Sequence, residues 1–231
     1  MASNYNYLDG LKRIDSRLEA NVDSNRVPTI PRFEECGSRG TMLCYGTVAS
    51  IRLLPIEGEN KVDESQKLKI IESFFSEACQ VIRSNASCRD IILSGLTITT
   101  IYNTSLKSEI DDVIGDLACI RSLIPIIEKK ANITRGSFDI RISACYGTLS
   151  MTVVESNEIS KRFLWNGDAI KTSHKMLDDA DNNSIRINKL IWNSLSESNQ
   201  KRFTSQKQPA DMYAGNIVNV LMNNWLLGAN K

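Results

Sequence analysis

The sequence contains few of the residues that build metal, disulfide or catalytic-triad chemistry. Histidine occurs once in 231 residues, at His174. The six cysteines are scattered and include no Cys-x-x-Cys pair: Cys36, Cys44, Cys79, Cys88, Cys119 and Cys145. This spacing does not indicate a zinc site, and a Ser-His-Asp triad would have to be built on the single histidine. We expect the cysteines to be reduced and to pack as small hydrophobes.

Long apolar runs and an excess of charge of either sign are also missing. No run approaches the length that spans a bilayer, and the polar start of the chain is unlike a secretory signal, so we expect a cytoplasmic protein without membrane association. The 28 Lys and Arg residues almost balance the 27 Asp and Glu residues. That balance creates no field that would attract nucleic acid, although a local basic pocket remains compatible with it.

The apolar fraction of 42% is that of a globular protein with a full core. We expect an N-terminal helix and polar linker over residues 1–40 and a single domain over 41–231. Tyr7, Leu11, Ile14 and Leu18 follow spacings of four, three and four, which predicts a short amphipathic helix.

Hydrophobic periodicity predicts alternating helices and strands over the rest of the chain. We predict a central strand at 41–54, a helix at 66–84, a hairpin at 89–103, a helix at 108–130, a strand segment at 138–154, a short strand at 184–187, a short helix at 189–195 and a last strand at 213–221. This order indicates an α+β fold in which helices pack against one mixed, mostly antiparallel sheet.

The stretch from 162 to 176 combines a strand, a turn and a helix. A short apolar run ends at the Gly167-Asp168 turn, and helix-compatible residues follow. The free N–H groups and the dipole at such a helix start could hold phosphate. Lys171 and Lys175 lie four apart and therefore on one helix face. An ordinary surface helix with solvated lysines accounts for the same pattern.

Several short motifs, in their order and spacing, resemble the catalytic domain of class III nucleotidyl cyclases. They are Tyr5-Asn6-Tyr7, the strand at 42–50, the hairpin at Ser94-Gly95, Trp165-x-Gly167-Asp168, and the tail from Gly215 to Trp225. Within that family the chain is most similar to the bacterial pyrimidine (cytidylate and uridylate) cyclases of the Pycsar anti-phage system. The resemblance covers nearly the whole chain and implies a class III nucleotidyl cyclase-like sandwich.

The resemblance also implies where a metal site would lie. Family members use two aspartates to hold two Mg²⁺ or Mn²⁺ ions, and we match those aspartates to Gly46 and Leu96. Neither residue has an oxygen ligand for a hard cation, so we predict a degenerate metal site and no bound cofactor. Asp90, Asp111 and Asp112 are carboxylates of unknown placement that could substitute for the lost ligands.

The family's site is shared between two protomers of a head-to-tail dimer, which implies a homodimer here. The facing protomer supplies an asparagine, matched by Lys171, and a basic residue, matched by Lys175. With Gly95 and Gly167 these residues form the expected nucleotide-binding set. Adding a cation where two carboxylates are lost favours an anionic guest, such as a nucleoside triphosphate, bound without metal. Drift after loss of catalysis accounts for the change equally well.

Three functions remain open at this point. The chain is a catalytically degenerate cyclase that binds a nucleotide or partner, an active cyclase that makes cyclic UMP or cyclic CMP, or a non-catalytic partner that contributes Lys175 to an intact cyclase. We expect the homodimer to be inactive. The base-reading positions, placed near Ile92 and Leu164, are apolar and identify no base.

Overall fold

In a computed structural model, residues 6–19, 24–36, 40–56, 62–105, 107–154, 161–181, 184–206 and 211–228 are described. The strands are Ser24–Arg26 (β1), Gly40–Pro55 (β2), Cys88–Ser94 (β3), Thr97–Tyr102 (β4), Phe138–Val154 (β5), Arg162–Asn166 (β6), Ile185–Asn188 (β7), Thr204–Ser205 (β8) and Met212–Gly215 (β9). The α-helices are Tyr7–Glu19 (α1), Glu64–Ser84 (α2), Lys107–Lys130 (α3), Asp168–Asp178 (α4), Lys189–Ser194 (α5), Glu197–Gln200 (α6) and Val220–Leu226 (α7), and Phe33–Glu35 forms one 3₁₀ turn.

All of these strands join one mixed sheet. The order is β3-β4-β2-β5-β7-β9-β8, with β1 attached to β2 and β6 attached to β5. The β1–β2 and β5–β7 pairs are parallel and the other pairs are antiparallel. The expected α+β class and mostly antiparallel sheet are therefore confirmed.

Strands β2 and β5 form the long central pair of the sheet. They pair continuously, from Gly40 opposite Val153 to Pro55 opposite Phe138. The other edge of β2 is shared, because β1 pairs with its first part and β4 pairs with residues from Thr47 to Arg52. Strand β2 is therefore the element that places the hairpin β3–β4 relative to the rest of the sheet.

Helices α2 and α3 cover one face of the sheet. Helix α2 begins where the Asp63 side chain accepts a hydrogen bond from Gln66 N at 2.9 Å, a typical N-cap. Its inward stripe is Ile70, Phe74, Ala78 and Ile82, spaced by four, four and four residues. Leu68 lies off this stripe and is 60% exposed, because the four-residue ridge from Ile70 faces the core.

Helix α4 covers the other face, over β2 and β5. Buried hydroxyls join the helix to both strands: Ser173 Oγ donates to Ser50 Oγ at 2.9 Å, and Ser143 Oγ donates to Ser173 O at 2.8 Å. Gly147 faces the first turn of α4, where an added Cβ would meet Ala169 Cβ at 3.4 Å, an ordinary van der Waals contact. The strand, turn and helix expected over 162–176 are confirmed.

The two ends of the described chain differ from the sequence pattern in detail. Helix α1 is present, but its apolar side chains Tyr7, Leu11, Ile14 and Leu18 are exposed.

The last strand expected at 213–221 is instead the strand β9 followed by α7. Helix α7 begins at Asn219, whose side chain accepts a hydrogen bond from Met222 N at 3.0 Å. That cap ends the extended segment, which the apolar pattern alone did not indicate.

All six cysteines are free, and burial raises the pKa of the Cys44 and Cys145 thiols to about 11. Thiols with such pKa values are protonated at neutral pH and are unreactive.

Within the described residues, none of the helices has both the length and the apolar character needed to cross a bilayer.

Gly46 lies in a tightly packed part of the sheet, so a larger residue at this position should destabilise the fold. A Cβ at this position would lie 2.6 Å from Ile30 Cδ1 and 2.7 Å from Tyr102 O, and the backbone oxygen cannot move aside. We expect Gly46→Ala to lower the free energy of unfolding by about 1–3 kcal/mol. Equilibrium urea unfolding measures the change.

The matched control for this substitution is Gly115→Ala. Gly115 lies inside α3 with no atom within 4 Å of the added Cβ, so this change should stabilise the protein by about 0.5–1 kcal/mol. A Gly46→Ala protein as stable as the wild type would contradict the packing around Gly46.

Candidate functional site

The turn between β6 and α4 requires a glycine. Gly167 has φ +132°, and a Cβ there would lie 2.5 Å from Thr148 O. The next residue, Asp168, accepts a hydrogen bond from Thr148 Oγ1 at 3.2 Å and places a carboxylate in the first helical turn. This carboxylate already offsets the positive end of the helix dipole, so the helix start is a poorer phosphate site than the sequence pattern indicated.

The two lysines of α4 project away from the sheet. Ala169, Ser173, Met176 and Leu177 face inward, whereas Lys171 and Lys175 are exposed. Among the described residues, neither lysine forms a salt bridge, and no hydrogen bond joins either one to the hairpin turn at Gly95. Within one protomer, Lys171 and Lys175 are therefore solvated side chains without a polar contact to Gly95 among the described residues.

The hairpin turn lies at the edge of the sheet, beside the end of β2. Gly95 has φ +56°, which suits glycine in a tight turn. The carbonyl of Leu96 accepts a hydrogen bond from Leu53 N at 3.0 Å, and Arg52 pairs with Thr97. The β2 residues next to the turn are therefore Arg52 and Leu53.

The strand register separates Gly46 from Leu96, the two residues that we matched to the metal-binding aspartates. Gly46 lies seven residues before Leu53 along β2, which is about 23 Å in an extended strand. Two carboxylates that share metal ions must lie within a few ångströms of the same ion, so Gly46 and Leu96 cannot mark one metal site in a protomer. Next to the turn, on the face that α4 covers, the side chain on β2 is Arg52, which pairs with Thr97 and is a cation without a ligand atom for metal.

Arg52 belongs to a charged cluster at the end of α4. Its Nη1 lies 2.7 Å from Asp178 Oδ1, and its Nε donates to Thr97 Oγ1 at 3.2 Å. Arg141, the cross-strand neighbour of Arg52 on β5, donates from Nη1 to the Asp178 carbonyl at 3.2 Å. The Arg52 side chain is 32% exposed, so this cluster borders solvent at the hairpin end of the sheet.

His174, the only histidine, lies beside this cluster. Its Nε2 is 3.0 Å from Thr99 Oγ1. Partial burial lowers the pKa of His174, the Arg52 cation lowers it further, and Asp178 acts in the opposite direction. Neutral imidazole is therefore favoured at pH 7. Among the described residues, His174 does not form a catalytic triad with a nucleophile and a buried acid.

The carboxylates considered as replacements lie elsewhere. Asp90 accepts a hydrogen bond from Trp165 Nε1 at 2.7 Å and pairs with Ile101, near the far end of the hairpin from its turn. Asp111 accepts hydrogen bonds from Ser196 N and from the Asn199 side chain. The structure therefore does not bring Asp90 or Asp111 to Leu96.

Asp112 is exposed at the start of α3 and lines a separate cleft of about 600 Å³. The neighbouring Asp116 lines the same cleft, and burial raises its pKa to about 6. Within the parts of the chain that the structure describes, no three or more His, Cys, Asp or Glu side chains are grouped to hold a metal ion.

The two positions assigned to base recognition are also far apart. Ile92 pairs with Thr99 beside the hairpin turn, whereas Leu164 pairs with Thr152 at the opposite end of the central strands. Leu164 is 61% exposed. Ile92 and Leu164 could line one pocket only if they came from two different copies of the chain.

Comparisons with known proteins agree with this architecture. No family model matches the chain. A uridylate cyclase from Treponema porcinum is 24% identical in an alignment 236 residues long that covers 96% of this chain and 81% of that protein. The crystal structure of the adenylyl cyclase CyaB from P. aeruginosa gives a TM-score of 0.61 at 8% identity and covers 78% of this chain and 97% of that chain.

A class III adenylyl cyclase-like ATP-binding protein from Pseudomonas aeruginosa gives a TM-score of 0.68 at 11% identity. The match covers 94% of this chain and 48% of that chain. The guanylyl cyclase Cya2 gives a TM-score of 0.59 at 12% identity over 77% of this chain and 94% of that chain. The fold is therefore the class III nucleotidyl cyclase fold. In sequence, the chain is similar over nearly its whole length to the Treponema porcinum uridylate cyclase.

The charges around His174 generate a prediction on its pKa. We expect Arg52→Gln to raise the pKa of His174, because the change removes a nearby cation and leaves Asp178 in place. A proton titration of the imidazole signal by NMR measures this directly, since the chain has one histidine. Arg83→Gln, a change on α2, is the control and should leave the pKa unchanged.

The lowered pKa of His174 also makes the stability of the folded protein depend on pH. Because the unfolded chain, with a histidine pKa near 6.5, binds the proton more readily, the His174 contribution to stability is present above that pH and is lost as the pH falls below it. Arg52→Gln should weaken this acid sensitivity. A His174 pKa that stays the same or falls in Arg52→Gln would show that Arg52 does not act on the imidazole.

Proposed function

We propose that this chain is a nucleotide-binding cyclase homologue that has lost the family's two-metal chemistry. In this proposal two copies form a head-to-tail homodimer and hold a nucleoside triphosphate between the hairpin of one copy and α4 of the other. The biological setting would be anti-phage defence of the Pycsar type. The observation that carries the proposal is the register at the hairpin turn, where Arg52 pairs with Thr97, the residue that follows Leu96.

Arg52 and Leu96 would both disfavour a cyclisation reaction that depends on metal ions. Two divalent ions normally neutralise phosphate charge and activate the attacking hydroxyl, and such metal catalysis contributes many kcal/mol. Leucine supplies no ligand, and a guanidinium supplies only N–H donors. A guanidinium can nevertheless bind phosphate oxygens in a bidentate manner, so anion binding is retained where metal binding is lost.

The placement of the lysines supports a site between two copies. Lys171 and Lys175 are exposed on the outer face of α4, where a facing molecule can reach them. A lysine from one copy and Arg52 from the other would then contribute positive charge to one guest. Asp178 already pairs with Arg52, so the phosphate groups would compete with that carboxylate for the guanidinium. We expect moderate affinity for this reason.

Two similar structures are consistent with this proposal. The Pseudomonas aeruginosa protein of the same fold is described as ATP-binding and cyclase-like. A guanylyl cyclase domain from Blastocladiella emersonii, with a TM-score of 0.54, is described as a non-canonical dimer. Nucleotide binding and dimer formation both occur on this fold, and both remain proposals for this chain.

The first test measures binding without metal. By isothermal titration calorimetry, UTP should bind in the presence of EDTA, and raising NaCl should weaken the binding because charged groups carry it. Replacing Lys171 with the family's residue, Lys171→Asn, should weaken binding about tenfold, the effect of losing one charge-assisted contact. Lys69→Asn, an exposed change on α2, is the control.

Two outcomes would contradict binding of this kind. One is an absolute requirement for Mg²⁺, which would indicate that ligands for a metal bridge exist. The other is equal affinity in Lys171→Asn and in wild type. Light scattering at protein concentrations on the order of tens of micromolar tests the dimer. A strict monomer would favour the role of partner to an intact cyclase, to which the chain supplies Lys175.

A second candidate function is an active pyrimidine cyclase. It is favoured by the relation to the Treponema porcinum uridylate cyclase over 96% of this chain. Purified protein would be incubated with each nucleoside triphosphate and Mn²⁺ or Mg²⁺, and cyclic products would be measured by mass spectrometry. We expect no cyclic UMP or cyclic CMP above a control without protein. Product that disappears in Lys175→Ala would establish the active cyclase instead.

A further inference from the structure

A second cleft lies between α3 and α7, separate from the hairpin and α4. Its volume is about 270 Å³, and its lining includes the charged residues Arg121, Glu128, Arg135 and Asp139 together with Ser122 and Asn223. Arg121 lies on the buried side of α3, and Arg135 is exposed in the segment before β5. None of the residues considered for the nucleotide site belongs to this lining.

Arg121 is a buried cation with few partners. The residue is 9% exposed, and Nη1 donates to Ile217 O at 2.9 Å. Its Nε is buried and has no hydrogen-bond partner, and no salt bridge to Arg121 occurs among the described residues. Burial lowers the pKa of this guanidinium. A buried charge without a counter-ion is costly, so a group that neutralises it would stabilise the folded protein.

The unused part of this guanidinium has a defined shape. Nη1 is engaged with the Ile217 carbonyl, which leaves the edge formed by Nε and Nη2. Two N–H groups on that edge point in parallel and match the two oxygens of a carboxylate or phosphate. A cationic guest, or one without an acceptor oxygen, would not use this edge, because guanidinium nitrogens donate and do not accept.

The nearby carboxylate of Glu128 does not take this role. Glu128 lies seven residues after Arg121 on α3, about 10 Å along the helix axis. Its carboxylate oxygens accept hydrogen bonds from Gly136 N at 3.1 Å and from Phe138 N at 3.0 Å. These backbone donors occupy the Glu128 carboxylate, and no salt bridge joins it to Arg121 among the described residues. Arg135 adds a second cation to the lining.

We propose that the cleft between α3 and α7 binds a small oxyanion, a phosphate or a short carboxylate, on the Nε–Nη2 edge of Arg121. The size of the cleft supports this class of ligand. Pockets for larger organic ligands usually measure about 300–1,000 Å³, so a whole nucleoside triphosphate is a poor fit. The proposal is independent of nucleotide binding at α4.

The test uses the full chain with inorganic phosphate and acetate as separate probes at constant ionic strength. NMR detection of arginine Nε–H groups should show one resonance that shifts in a saturable manner with either probe. Arg121→Lys should remove that resonance and the response, because lysine cannot present a bidentate edge. A shift with one probe only would assign the phosphate or the carboxylate chemistry.

The matched control is Arg186→Gln. Arg186 is also a buried arginine with an unpartnered Nε, but it pairs with Asp181 at 3.4 Å and does not line the cleft. This variant should bind the probes as the wild type does. Arg135→Gln, at an exposed position, should fold normally and weaken binding several-fold, which keeps the test valid if Arg121→Lys is unstable.

The proposal is overturned if no arginine resonance shifts below about 10 mM of either probe, a concentration range that covers weak specific binding. It is also overturned if Arg121→Lys responds as the wild type does. The same titrations in Lys171→Asn separate this site from the nucleotide site, because that change should leave phosphate binding at Arg121 unaltered.

Discussion

The pairing of β2 with β5 is the constraint on which the rest of the structure depends. The two strands remain in antiparallel register from Gly40 opposite Val153 to Pro55 opposite Phe138. Their two faces receive different covers, with α2 and α3 on one side and α4 on the other. A slip of one residue would turn Ala49, Ile51 and Leu53 out of the core, so the hydrophobic effect strongly specifies the register.

This register also decides what chemistry the hairpin end can perform. Because β4 pairs with the second part of β2, the turn at Gly95 lies beside Arg52 and not beside Gly46. The guanidinium of Arg52 then meets Asp178 from α4, and the resulting ion pair occupies the region next to Leu96. In the proposed site, the Arg52 guanidinium would supply positive charge to an anion but could not act as a metal ligand.

Helix α4 illustrates how one element serves both the fold and the proposed site. Its inward side is anchored by hydroxyl contacts that join Ser173 to Ser50 and Ser143. Those contacts attach the inward side of the helix to the sheet, and Lys171 and Lys175 are exposed on its other side. A helix that presents cations to solvent is suited to a site completed by another molecule. The cleft at Arg121 lies within one protomer and needs no second copy for its shape.

The sequence by itself determined most helices and strands, the hairpin with Gly95 and the turn at Gly167, because periodicity and turn chemistry are local properties. It also indicated the cyclase-like fold and the exposed lysines. Only the tertiary structure decided that Arg52 and not Gly46 neighbours Leu96, and that Arg121 is buried without an acid partner. These facts depend on strand register and on helix packing, which join residues far apart in the chain. The sequence of an apolar strand such as β2 contains no local signal that shows which of its residues will lie beside the β3–β4 turn.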